Sequence, residues 1–283
     1  MYLSFAPGLL GIKTDFVGAL DLAARYGFVG VDSSVAQLAS LTENDVAALQ
    51  EQFAILKLRP GYFGLDPVVV SAPAETWNNG VELLKVAAPI AQTLGYTRAI
   101  AVVLPFSETR PRAENFAFHL ARLGEILPIL AENGIALGLE YVSPLTRRAP
   151  YEHHFIHDLR GTLELIAAAK APNLGLLLDS FHWFCAGEKA ADIARLSPEQ
   201  LVAVHLNDAI QNRPRDEQLA FERELPGDSG EIDLHAFIKA LNAMNYQGPL
   251  TCEPMNKALN DLDKEEATAR TFAAMQKTVS PDL

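Results

Sequence analysis

The chain has 283 residues, 49% of them apolar and 20% charged, with a net charge of −12. Such a surface repels phosphate backbones and anionic headgroups, which disfavours nucleic acid and membranes as partners. Two cysteines give no disulfide framework and suit a reducing cytoplasm, while the N-terminal MYLSFAPGLLGIK lacks the basic region and apolar run of a signal peptide.

In chain order, short apolar runs alternate with longer helical patterns. Strands are expected at residues 2–5, 28–32, 55–59, 99–104, 135–140, 174–178, 201–205 and 249–252. Helices are expected at 16–26, 42–51, 75–94, 112–133, 159–170, 189–196, 234–244 and 264–277. Ser40 and Glu43 read as a capping box before the second helix, Asp233 as an N-cap, and Gly95 and Gly134 as left-handed C-caps. The strands are continuous apolar runs rather than alternating ones, as parallel strands covered on both faces require. This order predicts α/β architecture, a single (β/α)8 TIM barrel over residues 1–283, a length close to the usual ~250 residues. A doubly wound open sheet is the alternative. The segment 206–233, rich in charge, Pro and Gly, is too long for a plain connection and follows the seventh strand, over the catalytic face of a barrel.

Four consecutive strands end in groups that bear chemistry. The fifth ends LGLEY with Glu140; the sixth ends LLLDSFH with Asp179 and His182. The seventh ends VHLND with His205, Asn207 and Asp208, and the eighth ends TCEP with Glu253. A lone acid at a strand end often caps the next helix, and Asp208 is open to that reading. Acids gathered on four neighbouring tips would oppose one another's ionisation unless a cation offset them. Two Glu, one Asp and one His would make an oxygen-rich site with one nitrogen, suited to Mn²⁺, Mg²⁺ or Co²⁺, with Zn²⁺ or Fe²⁺ also possible.

The segments LGLEY, LLLDSFHW, VHLND, LPGDSGEID and TCEP, in this order, resemble the xylose isomerase-like TIM barrel superfamily. Within it they are most similar to the sugar isomerase/epimerase branch of D-tagatose 3-epimerase and inosose isomerase. The resemblance implies that Glu140, Asp179, His205 and Glu253 are metal ligands and that His182 binds substrate. It also implies a substrate-binding arginine after strand seven, for which Arg213 and Arg215 are both candidates. It implies a metal-binding enzyme of carbohydrate metabolism, with manganese among the fitting ions, that forms a homo-oligomer; the cysteine content places it in the cytoplasm. In the PGDSGEID turn, Ser229 is an extra residue if Gly230 is the matched glycine.

The chemistry expected of such a site is removal of the proton α to a polarised carbonyl. An ene-diolate results, and Glu140 and Glu253 serve as the acid/base pair. Return of the proton gives epimerisation or isomerisation of a ketose or cyclitol; loss of a β-hydroxyl gives a dehydratase of inosose or dehydroshikimate type. An endonuclease IV-like DNA repair enzyme would need histidines on the earlier strand ends, which read VDSS, RPGYF and VLPF. No glycine-rich phosphate cradle follows strands seven or eight, so a free sugar or cyclitol is expected. Trp183 is a candidate wall for the sugar's carbon face, with Phe5, Tyr62, Phe63, Phe106, Tyr141 and Phe184 behind it. His153, His154, His157 and Glu108 read as polar loop residues, and Cys185 and Cys252 as small apolar fillers.

Overall fold

Every residue of Leu174–Asp179 and Leu201–Leu206 is buried, as runs without polar neighbours require. The computed structural model of the chain describes residues 1–66 and 68–280. Eight parallel strands close into a barrel: β1 Tyr2–Phe5, β2 Gly30–Ser34, β3 Arg59–Gly64, β4 Arg98–Val103, β5 Ala136–Tyr141, β6 Leu174–Asp179, β7 Leu201–Leu206 and β8 Pro249–Cys252. Each strand pairs with its sequence neighbours, and β8 returns to β1 with Tyr2 opposite Pro249. The eight-stranded barrel is therefore present and the open sheet is excluded.

Outside the barrel lie α1 Phe16–Tyr26, α2 Glu43–Leu56, α3 Ala74–Leu94, α4 Arg112–Glu132 and α5 Leu159–Ala169. They continue with α6 Ser180–Ala186, α7 Leu234–Ala243 and α8 Lys264–Val279, besides several shorter turns. Asp233 caps α7 by accepting from Ala236 N at 2.9 Å. The capping box of α2 is Thr42 with Asp45, not Ser40 with Glu43. That helix also runs on to Leu56 and stops where Lys57 turns left-handed at φ 55°. Strand β3 consequently begins at Arg59, later than expected. Its Pro60 and Gly61 look like breakers in sequence, but Pro60 sits in the strand opposite Val31. Gly61 is required there: a Cβ would lie 1.8 Å from Asp32 Oδ1, so its bare backbone admits that carboxylate to the barrel interior.

Side chains two apart on a strand share a face. Tyr62, Leu177 and Ala203 form a small buried cluster separate from the main core, with Ile100 packed on it. Asp179 and His205 lie two residues beyond Leu177 and Ala203, so the same alternation carries both to the inner rim of the C-terminal face. The register also sets Asp179 directly opposite His205.

Segment 206–233 is ordered rather than structureless. Asp208 and Glu224 exchange backbone hydrogen bonds at 2.9 Å, folding the segment back on the end of β7. The buried Gln218 side chain staples the turn by bonding Ile210 N, Ile210 O and Arg213 O at 3.2, 3.0 and 2.8 Å.

Candidate metal centre

Glu140 is the penultimate residue of β5, Asp179 ends β6, His205 is the penultimate residue of β7 and Glu253 follows β8. One ligand atom from each lies within 4.8 Å of the others, and all four residues are buried. Glu140 and Glu253 stand at the two flanks of this row of strands, with Asp179 and His205 between them. His205 Nδ1 is 3.3 Å from Glu140 Oε1, 3.4 Å from Glu253 Oε2 and 3.7 Å from Asp179 Oδ2.

The carboxyl of Asp179 divides its work. Oδ1 accepts from Phe181 N at 2.6 Å and His182 N at 3.2 Å, capping α6. Oδ2 turns to the cluster and accepts from Asn207 Nδ2 and from a guanidinium, each at 2.9 Å. A cap and a site residue are thus the same side chain. Asn207 also accepts from Glu253 N at 2.8 Å through its Oδ1, which ties the ends of β6, β7 and β8 together. Asp208 holds the loop: its carboxylate accepts from Ala209 N, Ile232 N and Gly230 N at 2.9, 3.0 and 2.8 Å. Gly230 is therefore the glycine of the PG turn that meets this acid, with φ +73°.

The guanidinium is that of Arg223, 3% exposed, rather than that of either expected arginine, Arg213 or Arg215. Its Nη1 lies 2.9 Å from both Asp179 Oδ2 and Glu253 Oε2, and its Nη2 lies 3.3 Å from His182 Nε2. No local motif marks Arg223; the backbone exchange between Asp208 and Glu224 brings it back to the strand ends. Arg213 instead pairs with Glu222 at 2.8 Å, and Arg215 lies over the Phe184 ring at 5.1 Å. Neither makes an ion pair with the cluster.

His182 is buried beside the cluster, its Nδ1 3.4 Å from Ser143 N. Trp183 points elsewhere: it is 5% exposed and packs edge-on against Phe237 of α7, with ring centroids 5.3 Å apart. The expected sugar wall at Trp183 is thus a core contact, since helical rotation carries residue 183 away from the face of His182. Tyr62 is the aromatic ring that reaches the cluster, its hydroxyl 2.8 Å from His205 Nε2. His153 and His154 pair with Phe106 and Ser107 in a small antiparallel ladder. Cys185 and Cys252 are free thiols.

Burial dominates the electrostatics. It pushes Glu140 up to about 7, with help from the neighbouring charge of Glu253. Burial acts the same way on Asp179 and Glu253, but Arg223 and His205 outweigh it and hold both below the ordinary range. Burial lowers His182 to about 4, and the positive Arg223 beside it works in the same direction against Asp179. Inside the barrel, burial raises Asp32 to about 6 against hydrogen bonds from Ser4, Thr251 and Tyr62 N. Burial works against a charged His205, but Tyr62, Glu253 and the other two acids outweigh it and raise that imidazole.

The donor set fits a divalent cation. Glu140 Oε1 and His205 Nδ1 are buried, adjacent and without a hydrogen-bond partner. Orphaned buried acceptors are costly unless something further binds them. Three carboxylates and one guanidinium leave two negative charges once His205 is neutral, as a metal-ligating imidazole must be, and a divalent ion neutralises that charge. Three oxygens and one imidazole nitrogen suit several such ions. This is the sole cluster of its kind found among the described residues.

Comparison with known proteins agrees with this architecture. Residues 20–278 match the xylose isomerase-like TIM barrel family. The inosose isomerase of Bacillus subtilis is 24% identical over 62% of this chain, and the match spans 60% of that protein. A probable ketose 3-epimerase of Synechocystis sp. is 23% identical over 95% of this chain and 90% of its own length. A solved xylose isomerase domain protein from Alicyclobacillus acidocaldarius superposes with TM-score 0.87 at 28% identity, covering 99% of this chain and 98% of that one. Strand order, the inward-facing row of acids and histidine, and the sequence match together lead to one conclusion: the chain belongs to the xylose isomerase-like TIM barrel family.

Proposed function

We propose that the protein is a divalent-metal-dependent isomerase or epimerase of a ketose or cyclitol, working by α-proton abstraction. The observation that carries this reading is the buried row of Glu140, Asp179, His205 and Glu253, in which two ligand atoms lack partners and two glutamates stand at opposite flanks. The names of the relatives, inosose isomerase and probable ketose 3-epimerase, point to the same substrate classes.

Glu140, Asp179, His205 and Glu253 would hold the ion, which supplies Lewis acidity to a substrate carbonyl when bound. The two glutamates divide the proton work. Glu253, kept ionised by Arg223, accepts the α-proton at a carboxylate oxygen. Glu140, on the other flank, donates a proton to the opposite face of the ene-diolate. Arg223 and His182 steady substrate oxygens and oppose negative charge as it develops. The near-complete burial of these groups keeps water from competing for the carbanionic carbon.

Proton NMR in D₂O tests this, with Mn²⁺-loaded protein and a panel of free ketoses and inososes. Loss of an α-proton signal with appearance of an epimer or isomer is expected. A new vinyl or diketone signal would move the protein to the dehydratases. No exchange, with metal shown to be bound, would overturn the proposal for these substrates.

A further inference from the structure

Arg122 of α4 donates to Val70 O and Ala72 O, and the other arginines of the outer helices are matched with acids: Arg25 with Asp21 and Glu265, Arg112 and Arg160 with Glu164, Arg270 with Glu266. Three on the catalytic face are not. None of the ion pairs among the described residues includes Arg147, Arg148 or Arg215. Asp216 and Asp158 lie near Arg148, but beyond ion-pair distance. The chain carries 35 acidic residues against 23 basic ones, so unpaired guanidiniums here do not reflect a shortage of acids.

Aromatic rings hold two of them instead. The Arg147 guanidinium lies 5.0 Å from the Phe106 ring and 5.6 Å from the Phe221 ring, and Phe106 is stacked on Tyr151 at 3.5 Å. Phe221 remains 64% exposed beside it. Arg147 thereby bridges the loops that follow β4 and β7, from its own place after β5. Arg215 lies over Phe184, at the end of α6. Arg148 donates to Ser143 O, and the Ser143 amide approaches His182 beside the cluster. A guanidinium held against rings rather than by an acid, as Arg147 is, leaves its N–H groups without a charged partner, and such a fork takes a carboxylate or phosphate.

We propose that Arg147 and Arg148, with Arg215 at the edge, form an oxyanion subsite beside the metal centre. The substrate is accordingly an α-hydroxy ketone that carries an anionic substituent, phosphate or carboxylate, away from its reacting carbons. This rests on the enolisation reading for the reacting end alone. It revises the expectation of an uncharged sugar, which followed from the lack of a glycine-rich cradle; side-chain guanidiniums here take the place of backbone amides. On a surface of net charge −12, such a patch also directs an anion to one spot on the protein.

The test uses the metal-loaded enzyme with D-fructose, D-fructose 6-phosphate and 5-keto-D-gluconate as probes at low ionic strength. Affinity is read by calorimetry and α-proton exchange by NMR, and inorganic phosphate serves as a separate ligand. One or both charged probes should bind at least about tenfold tighter than fructose, the gain that charge-assisted hydrogen bonds provide. The two arms separate phosphate from carboxylate. Arg147→Met should abolish most of that advantage, whereas Arg147→Lys, which keeps the charge and loses the fork, should keep part of it. Equal affinities for charged and neutral probes, or an advantage unchanged in a folded Arg147→Met protein, would overturn the subsite. If fructose exchanges its proton with no gain from charge, the subsite is lost and the enolisation reading stands. If no probe exchanges, yet phosphate binds the wild type and not Arg147→Met, the subsite stands and the enolisation reading is lost.

Discussion

Replacing Arg223 with methionine separates the roles of charge and packing in the centre. The guanidinium is 3% exposed and meets Asp179 and Glu253 at 2.9 Å each. Breaking a buried pair by removing one partner costs about 3–5 kcal/mol, because a charge is left uncompensated. Without metal, three carboxylates would then face only His205. With a divalent ion bound, two of those charges are again neutralised, and the ion no longer shares the cluster with a guanidinium. Unit charges 4 Å apart interact by about 4 kcal/mol at an effective dielectric of 20, so relief of that repulsion should tighten metal binding roughly tenfold or more. The assay is thermal unfolding of wild type and Arg223→Met in chelator and in excess Mn²⁺, with metal affinity from competition against a chromophoric chelator. The variant should lose more stability in chelator than in metal and bind metal more tightly. Equal losses in both media, together with unchanged or weaker metal affinity, would refute the charge balance drawn here.

Three other outcomes follow from the same geometry. Tyr62→Phe leaves His205 Nε2 buried without its partner at 2.8 Å; stability should fall by about 1–3 kcal/mol and metal affinity by about tenfold, as loss of a hydrogen bond to a ligating imidazole does. Chelator competition checks this, and an unchanged affinity would remove Tyr62 from the support of the site. Asp32, raised from 3.8 to about 6 by burial, binds its proton more tightly in the folded chain. Its contribution is therefore present below pH 4 and is lost as pH rises towards 6, so Asp32→Asn should gain stability relative to wild type across that window. Denaturant titrations at several pH values read the difference, and a gap that does not vary with pH would contradict it. Trp183→Phe removes a buried indole N–H that has no partner and keeps an aromatic ring against Phe237; its cost should stay below about 1.5 kcal/mol, with substrate affinity unchanged. A large loss of substrate affinity at constant stability would return Trp183 to the substrate pocket.

Much of this protein is written locally. Continuous apolar runs such as LGLLLD need cover on both faces, and their alternation with helical patterns admits few arrangements besides a parallel barrel. The acids and histidines at the ends of β5 to β8 were legible for the same reason, because a polar residue directly after a buried strand can only lie at its tip. The cap reading and the site reading of Asp179 could not be separated in sequence, and in the fold its two oxygens satisfy both. Where the sequence misled, the deciding contact was distant. Pro60 and Gly61 resemble a turn until Val31 and Asp32 are set beside them. Arg223 resembles any loop arginine until the backbone of Glu224 pairs with Asp208 and carries it to Asp179 and Glu253. Trp183 and His182 are neighbours in sequence, yet one packs on Phe237 and the other faces the cluster, because adjacent residues on a helix point about 100° apart. Strand alternation is a property of a few consecutive residues and so can be read from them. The choice of which arginine, which aromatic ring and which face of α6 meets the centre depends on contacts tens of residues apart, and only chain closure decides it.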